Sequence, residues 1–320
     1  VKIAHVIWTQ FPVAGYGGTE RVCFWLAQAQ SEMGHEVTVL CRPGSRLPFG
    51  RVVEIPEKIE SLDAYLPPDT DIVQLYGTPG YQISAPFLVN IGGNGQPGEQ
   101  FPANTVFVSA NHAARHGWSE FVHNGINLAE YPFQPRKENS ALFLAKASWR
   151  VKNLRGAIQI ARAAGLPIEV AGGRAPLWEH WRGGVKSHGT VDGAEKLALL
   201  QKAAVYLFPV VWEEPFGISV VEALASGTPV VVTPRGALPE IVTPACGVIG
   251  NTFSELVEAV EKARRLDPGA CRARVEEAFT HQHMAEKYLF YYKRILAHGK
   301  LRDGIPAAIG NPQQKIYYSA

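Results

Sequence analysis

Glu213-Glu214-Pro215-Phe216-Gly217-Ile218-Ser219-Val220-Val221-Glu222-Ala223-Leu224-Ala225-Ser226-Gly227-Thr228-Pro229-Val230-Val231-Val232 decides the reading of this chain. It reads as loop, helix, tight turn and buried strand. Pro215 suits a first helical position, where its missing N–H costs nothing. Gly227 ends the helix, and Pro229 opens an apolar β-branched run. Glu214 falls at the helix mouth, where unpaired backbone N–H groups and the helix dipole favour anions. Glu222 stands two turns further on, inside the apolar run Val220 to Ala225. A carboxylate there needs a partner, because burying it unpaired is costly. Hydroxyls of a sugar or ribose are one such partner; an arginine on a merely structural helix is the other. A helix mouth for phosphate beside acids for hydroxyls describes a nucleotide-sugar site.

Outward from this stretch, strand-like and helix-like segments alternate along the chain, which implies α/β architecture with parallel sheets. Strands are expected near Ile3–Thr9, Glu36–Cys41, Val52–Ile55, Asp71–Leu75, Phe87–Ile91 and Val106–Ser109. Helices are expected near Thr19–Met33, Ile59–Tyr65 and Asn111–Trp118. Asn124 to Lys137, with Pro132 and Pro135, reads as a linker. A second series has strands Ala141–Ala145, Ile168–Ala171, Val205–Phe208 and Val230–Val232. Its helices start near Asn153, Ala194, Phe216 and Ser254, and the last run from about Pro268 to His298. The expected division is residues 1–137, residues 138–298 and a tail at 299–320. Two doubly wound domains place ligand sites at the C-terminal ends of their strands, so both are expected to face one central cleft.

The 320 residues are 46% hydrophobic and 19% charged, enough for two cores. A net charge of +2 argues against a dedicated nucleic-acid binder. The four cysteines form no metal-like pair, and reduced thiols in a cytoplasmic protein are the default. Val1 to Trp8 reads as a strand, too short for a signal peptide. No apolar run approaches the ~20 residues of a membrane span. That reading leaves room for peripheral membrane contact.

At Glu213–Val232 the chain resembles the family 4 retaining glycosyltransferases of the two-domain GT-B fold, with two Rossmann-like domains. Their signature is Glu, seven residues, Glu, with Pro-Phe-Gly after the first and Ala-x-x-x-Gly-x-Pro-Val after the second. The resemblance implies that Glu222 holds the ribose of the nucleotide. It implies that Phe216, Gly217, Ile218 and Ser219 contact the donor sugar and diphosphate. The loop Ala145 to Asn153 occupies the place where the family often reads Gly-Arg, five residues, Lys-Gly. Lys146 and Lys152 fall at those spacings and, with Glu214, form the implied catalytic group. Lys146 replaces an arginine and lacks its bidentate fork, which Arg150 is placed to supply. His188 and Val191, in His188-Gly189-Thr190-Val191, match the place where family main chain meets the nucleobase. Gly17 and Gly18, in Gly15-Tyr16-Gly17-Gly18-Thr19-Glu20, match a Gly-Gly-x-Glu at the floor of the acceptor and diphosphate site. Tyr16, Gly93 and Asn94 are assigned to the acceptor side.

One departure stands out. Many relatives carry a histidine just after the strand that here reads Phe87 to Ile91. This chain has Gly92-Gly93-Asn94-Gly95 instead. His112 and His116 lie one strand later and are expected on the surface.

The implied reaction moves a sugar from a UDP- or GDP-type donor to a hydroxyl acceptor, whether sugar, lipid-linked or a small molecule. The leaving diphosphate takes the acceptor's proton. No metal and no cofactor are expected, since the nucleotide sugar is a substrate and lysines offset the leaving charge. A sugar-nucleotide epimerase of the same fold and a non-catalytic nucleotide-sugar-binding protein remain as alternatives.

Overall fold

The computed structural model describes residues 1–13, 17–96 and 98–307. The chain divides into two compact units. In the first, the elements run β1 (Lys2–Val6), α1 (Gly18–Glu32), β2 (Glu36–Cys41), β3 (Arg51–Glu54), β4 (Ile72–Leu75), β5 (Phe87–Ile91), β6 (Thr105–Phe107) and α2 (Ala110–Arg115). The strands form one parallel sheet in the order β3-β2-β1-β4-β5-β6. The inner strands are buried rather than alternating, β4 along its whole length and β5 from Leu88 on, as in parallel sheets covered on both faces.

The second unit contains β7 (Ala141–Leu144), α3 (Leu154–Ala163), β8 (Ile168–Ala171), α4 (Leu177–Trp181), β9 (Val185–Gly189), α5 (Gly193–Lys202), β10 (Val205–Phe208), α6 (Ile218–Ala225), β11 (Val230–Val232), α7 (Leu238–Ile241), β12 (Gly247–Ile249), α8 (Phe253–Ala263) and α9 (Pro268–Ala278). Its sheet is again parallel, in the order β12-β11-β10-β7-β8-β9. Both sheets therefore reverse direction beside their first strand, between β1 and β4 and between β7 and β10. In doubly wound sheets that reversal opens a crevice for ligands at the carboxyl ends of the strands.

The division differs from the expected boundary at 137/138. The first unit runs Val1–Ile126, and the second begins at Asn127 and extends to Phe279. Tyr131 explains the shift: it is fully buried and donates to Glu222, so the segment read as a linker belongs to the second core. From Thr280 the chain returns to the first unit, where α10 (His281–His298) packs on α1. A buried polar network holds it. Tyr292 donates to Gln74 (2.8 Å) and accepts from Gln30, whose Oε1 meets His5 Nε2 at 2.8 Å. Asn90 Nδ2 donates to Tyr288 (2.6 Å). Residues 299–307 stay on this unit, with Leu301 N bonded to Asn104 Oδ1 and Phe101 N to the Pro306 carbonyl. The rest of the tail, 308–320, lies outside the described residues.

Two further expectations change. No helix forms over 59–65. Ile59, Leu62 and Tyr65 are spaced as on a helix, but they enter the core from turns, with Leu62 N bonded to the Gln82 carbonyl. His112 and His116 are buried, not on the surface. His116 stacks on Phe107 at 4.5 Å, and His112 meets the same ring edge-on at 4.9 Å. Burial, reinforced by His116 and Arg115 and opposed by the Gly93 main chain, pushes the His112 pKa down to about 2. Burial likewise takes His5 down to about 4, against a raising bond from Gln30.

Two outcomes follow from this packing. A base whose pKa is lowered on folding contributes stability above its unfolded pKa, here 6.5, and loses it as pH falls. Stability should therefore drop between pH 7 and 5, by up to about 1.4 kcal/mol per pH unit for each such histidine. Thermal melts should show His112→Phe flattening that slope; an unchanged slope would contradict a neutral buried His112. Separately, a Cβ at Gly125 would stand 2.1 Å from the Thr280 carbonyl oxygen, where the chain re-enters this unit. Gly125→Ala should lower stability by roughly 1–3 kcal/mol in denaturant titration, and a wild-type midpoint would refute that close approach.

Candidate functional site

The loops leaving β7 and β10 meet at the switch point of the second sheet. Asn153 makes the junction. It adopts the left-handed conformation (φ 58°), caps α3 by accepting from Gly156 N, and donates to the Pro209 carbonyl at 2.8 Å. Val211 N adds a main-chain bond to Val151 O. These bonds set Lys152 beside Glu214. Lys152 Nζ donates to Glu214 Oε2 at 2.6 Å, and Trp212 Nε1 donates to the same oxygen at 2.6 Å. The Lys152 ammonium also lies over the Trp212 and Phe208 rings, 4.7 and 5.2 Å from their centroids. Both charged side chains are nearly buried, 12% and 8% exposed. A pair this sheltered holds its geometry, and deleting one member strands the other.

The main chain of Glu214 is gripped from below. Ala237 N donates to its carbonyl, and Gly236 (φ +60°) passes so close that a Cβ would fall 2.0 Å from that oxygen. Glu213 completes the turn by accepting from Gly236 N at 2.7 Å and pairing with Arg235. Pro215 is not the first helical residue. α6 begins at Ile218, with Gly217 as its N-cap at φ +110°, a conformation that favours glycine. Phe216 is buried against Phe279. The amides of Ile218 and Ser219 fall in the first turn, where a helix offers no acceptor for them. Ser219 Oγ is 2.8 Å from the buried Tyr206 hydroxyl, which also reaches the Leu144 carbonyl at the end of β7.

Lys146 and Arg150 are exposed on the β7 loop, with the Lys146 ammonium 4.9 Å over the Trp149 ring. Glu222 is buried, and the protein groups that meet it are not the arginine of the structural alternative. Lys196 Nζ (2.8 Å) and Tyr131 Oη (2.6 Å) both donate to its Oε1. Sequence reasoning missed both donors. The available signal was a lysine in the apolar stripe of α5, where Lys196, Leu199 and Leu200 form the buried face.

At the other end of the sheet, His188 is 13% exposed between Glu169 and Glu195, and its Nε2 bonds Glu169. The Gly189 carbonyl accepts from Gly172 and Gly173 N, joining the ends of β8 and β9. Val191 is buried just before α5. Gly17, Gly18, Gly93 and Asn94 belong to the first unit. Gly17 caps α1 and Gly18 opens it; a Cβ at Gly17 would press on the Glu20 carboxylate. Gly93 borders open space. Asn94 is tied to α2: Arg115 donates to its Oδ1 at 2.9 Å, and His116 Nε2 lies 3.2 Å from its carbonyl. Tyr16 lies outside the described residues. Among the described residues, no helix is long and apolar enough to cross a membrane.

Comparison with known proteins bears on this arrangement. Residues 138–265 match the family model described as glycosyl transferases group 1. A phosphatidyl-myo-inositol mannosyltransferase of Propionibacterium freudenreichii is 31% identical over 145 residues, 41% of this chain and 37% of that protein. An MMP alpha-(1->4)-mannosyltransferase of Mycolicibacterium hassiacum is 34% identical over 114 residues, 32% of this chain and 27% of that one. The chain thus matches only 37% and 27% of the length of these two relatives. Among solved structures, AviGT4, a glycosyltransferase involved in avilamycin A biosynthesis, superposes with a TM-score of 0.78 at 26% identity, covering 92% of this chain and 98% of that one. Residues 138–265 thus resemble the group 1 glycosyltransferases, and the two six-stranded parallel sheets have the GT-B fold that AviGT4 shares.

Proposed function

We propose that the protein is a retaining glycosyltransferase that moves a hexose from a UDP- or GDP-type nucleotide sugar to an acceptor hydroxyl. The observation that carries this reading is the junction at the β7/β10 switch point, where Lys152 and Glu214 stand beside the N-terminus of α6. The first-turn amides of Ile218 and Ser219 suit a diphosphate. Lys152 supplies a fixed charge there, and Lys146 and Arg150, on an exposed loop, supply charge that can close on the phosphates. Glu222 takes the ribose, and the main chain around His188 and Val191 takes the base. Mannosyl transfer by the two curated relatives favours a mannosyl or related hexosyl donor. The relative named for phosphatidyl-myo-inositol supports a lipid-linked acceptor, which fits peripheral work at a membrane from the cytoplasm.

Charge on the leaving diphosphate grows in the transition state, so the cations act more on rate than on binding. The same phosphate is the base for the acceptor's proton. The glycine loop Gly92–Gly95 then serves by shape and needs no side-chain base. Lysine charge also makes transfer independent of added divalent metal.

Incubation with a panel of nucleotide sugars, followed by product analysis, tests the reading. Transfer or slow hydrolysis is expected, and it should persist with a chelator. A changed nucleotide sugar without transfer would reveal an epimerase, and binding without turnover a non-catalytic protein. Lys146→Ala, and Lys152→Gln, which keeps a donor for Glu214, should each lower kcat about tenfold or more while leaving nucleoside diphosphate affinity within about threefold. Equal losses in both would contradict the assigned role. Glu222→Gln should weaken nucleotide binding about tenfold in calorimetry, as the loss of a charged acceptor for ribose hydroxyls requires. Unchanged affinity would reduce Glu222 to a structural ion pair.

A further inference from the structure

The buried carboxylate of Glu222 is held by two groups from distant parts of the chain. Lys196 comes from α5, and Tyr131 from the segment that follows Asn127 at the start of the second unit. Neither is a natural occupant of its position. Lys196 sits in the apolar stripe of α5 with only 9% of its side chain exposed. Tyr131 is 1% exposed, and its hydroxyl donates to Glu222 inside the core. The Lys196 ammonium also lies 5.6 Å over the Tyr131 ring, so the three groups form one cluster. Burying an ammonium and a carboxylate together rarely gains stability over an apolar pair of the same size. What such a pair does give is a fixed orientation. Both side-chain bonds described for Glu222 end on Oε1. Oε1 thus carries two donors, and among the described residues Oε2 is left to accept a further one.

We infer that Lys196 and Tyr131 are positioning residues that lock Glu222 as an anion with Oε2 presented to the ribose diol, and so set the preference of the site for ribonucleotides. The inference rests on the ribose role proposed for Glu222. Without the two donors the carboxylate would rotate about its last bond, and each hydroxyl contact would carry the entropy of fixing it. With them, the geometry exists before the nucleotide arrives. Their effect should therefore be confined to ligands that carry the ribose hydroxyls.

Calorimetric titration of UDP and GDP, each beside its 2′,3′-dideoxy analogue, tests this. The wild type should bind the preferred ribonucleotide at least about tenfold more tightly than its dideoxy form. Tyr131→Phe, which keeps the ring, and Lys196→Met should each reduce that ratio severalfold while dideoxy affinity stays within about twofold. Lys196→Arg should restore part of it. Melting curves check that each variant folds, and Tyr131→Phe keeps the test valid should Lys196→Met not fold. A ratio that survives both substitutions, or an equal fall for both ligands, would overturn the inference alone. A wild type without ribose discrimination would overturn the ribose reading of Glu222, and this inference with it.

Discussion

The close approach of Gly236 to the Glu214 main chain constrains everything around the candidate site. Only a residue without a Cβ can pass the Glu214 carbonyl at that distance, and the resulting turn fixes where the Glu214 carboxylate emerges. Lys152 then has one place to go, against that carboxylate and over Trp212 and Phe208. Asn153, in its left-handed conformation, closes the loop from the other side. Three local constraints thus join the exits of β7 and β10, the two strands that flank the switch point. The cation, the acid and the first turn of α6 are brought together by backbone geometry, with little left to side-chain choice.

Much of this was legible in the sequence. β7, β10 and β11 are short apolar runs bounded by glycine, proline or charged loops, as a strand buried on both faces tends to be, and β8 departs from that pattern only at Glu169. β9 and β12 were missed: both are edge strands, and Val185-Lys186-Ser187-His188-Gly189 is mixed in polarity and only partly buried, without the apolar run that marks β7 or β10. The helix expected at 59–65 failed for a different reason. Apolar residues at helical spacing also serve a loop that dips into the core three times, and periodicity alone does not separate the two cases.

The site divides in the same way. Spacing within one loop placed Lys146, Arg150 and Lys152 correctly on the strand-exit segment. The partners of Glu222 were invisible, because Tyr131 and Lys196 lie 91 and 26 residues away and only the fold brings them together. Reading Asn124 to Lys137 as a linker hid Tyr131 in particular. Prolines made that segment look like a connector, whereas a buried hydroxyl makes it part of the second core.

The central claim is that the β7/β10 junction is where the nucleotide diphosphate binds. Hydrogen exchange followed by mass spectrometry, with and without saturating UDP or GDP, tests it most directly. The account requires slowed exchange in 146–153 and in 216–222, the segments that carry the lysines and the first-turn amides of α6. Nucleotide binding that leaves both segments unprotected, or protects the first unit alone, would contradict it.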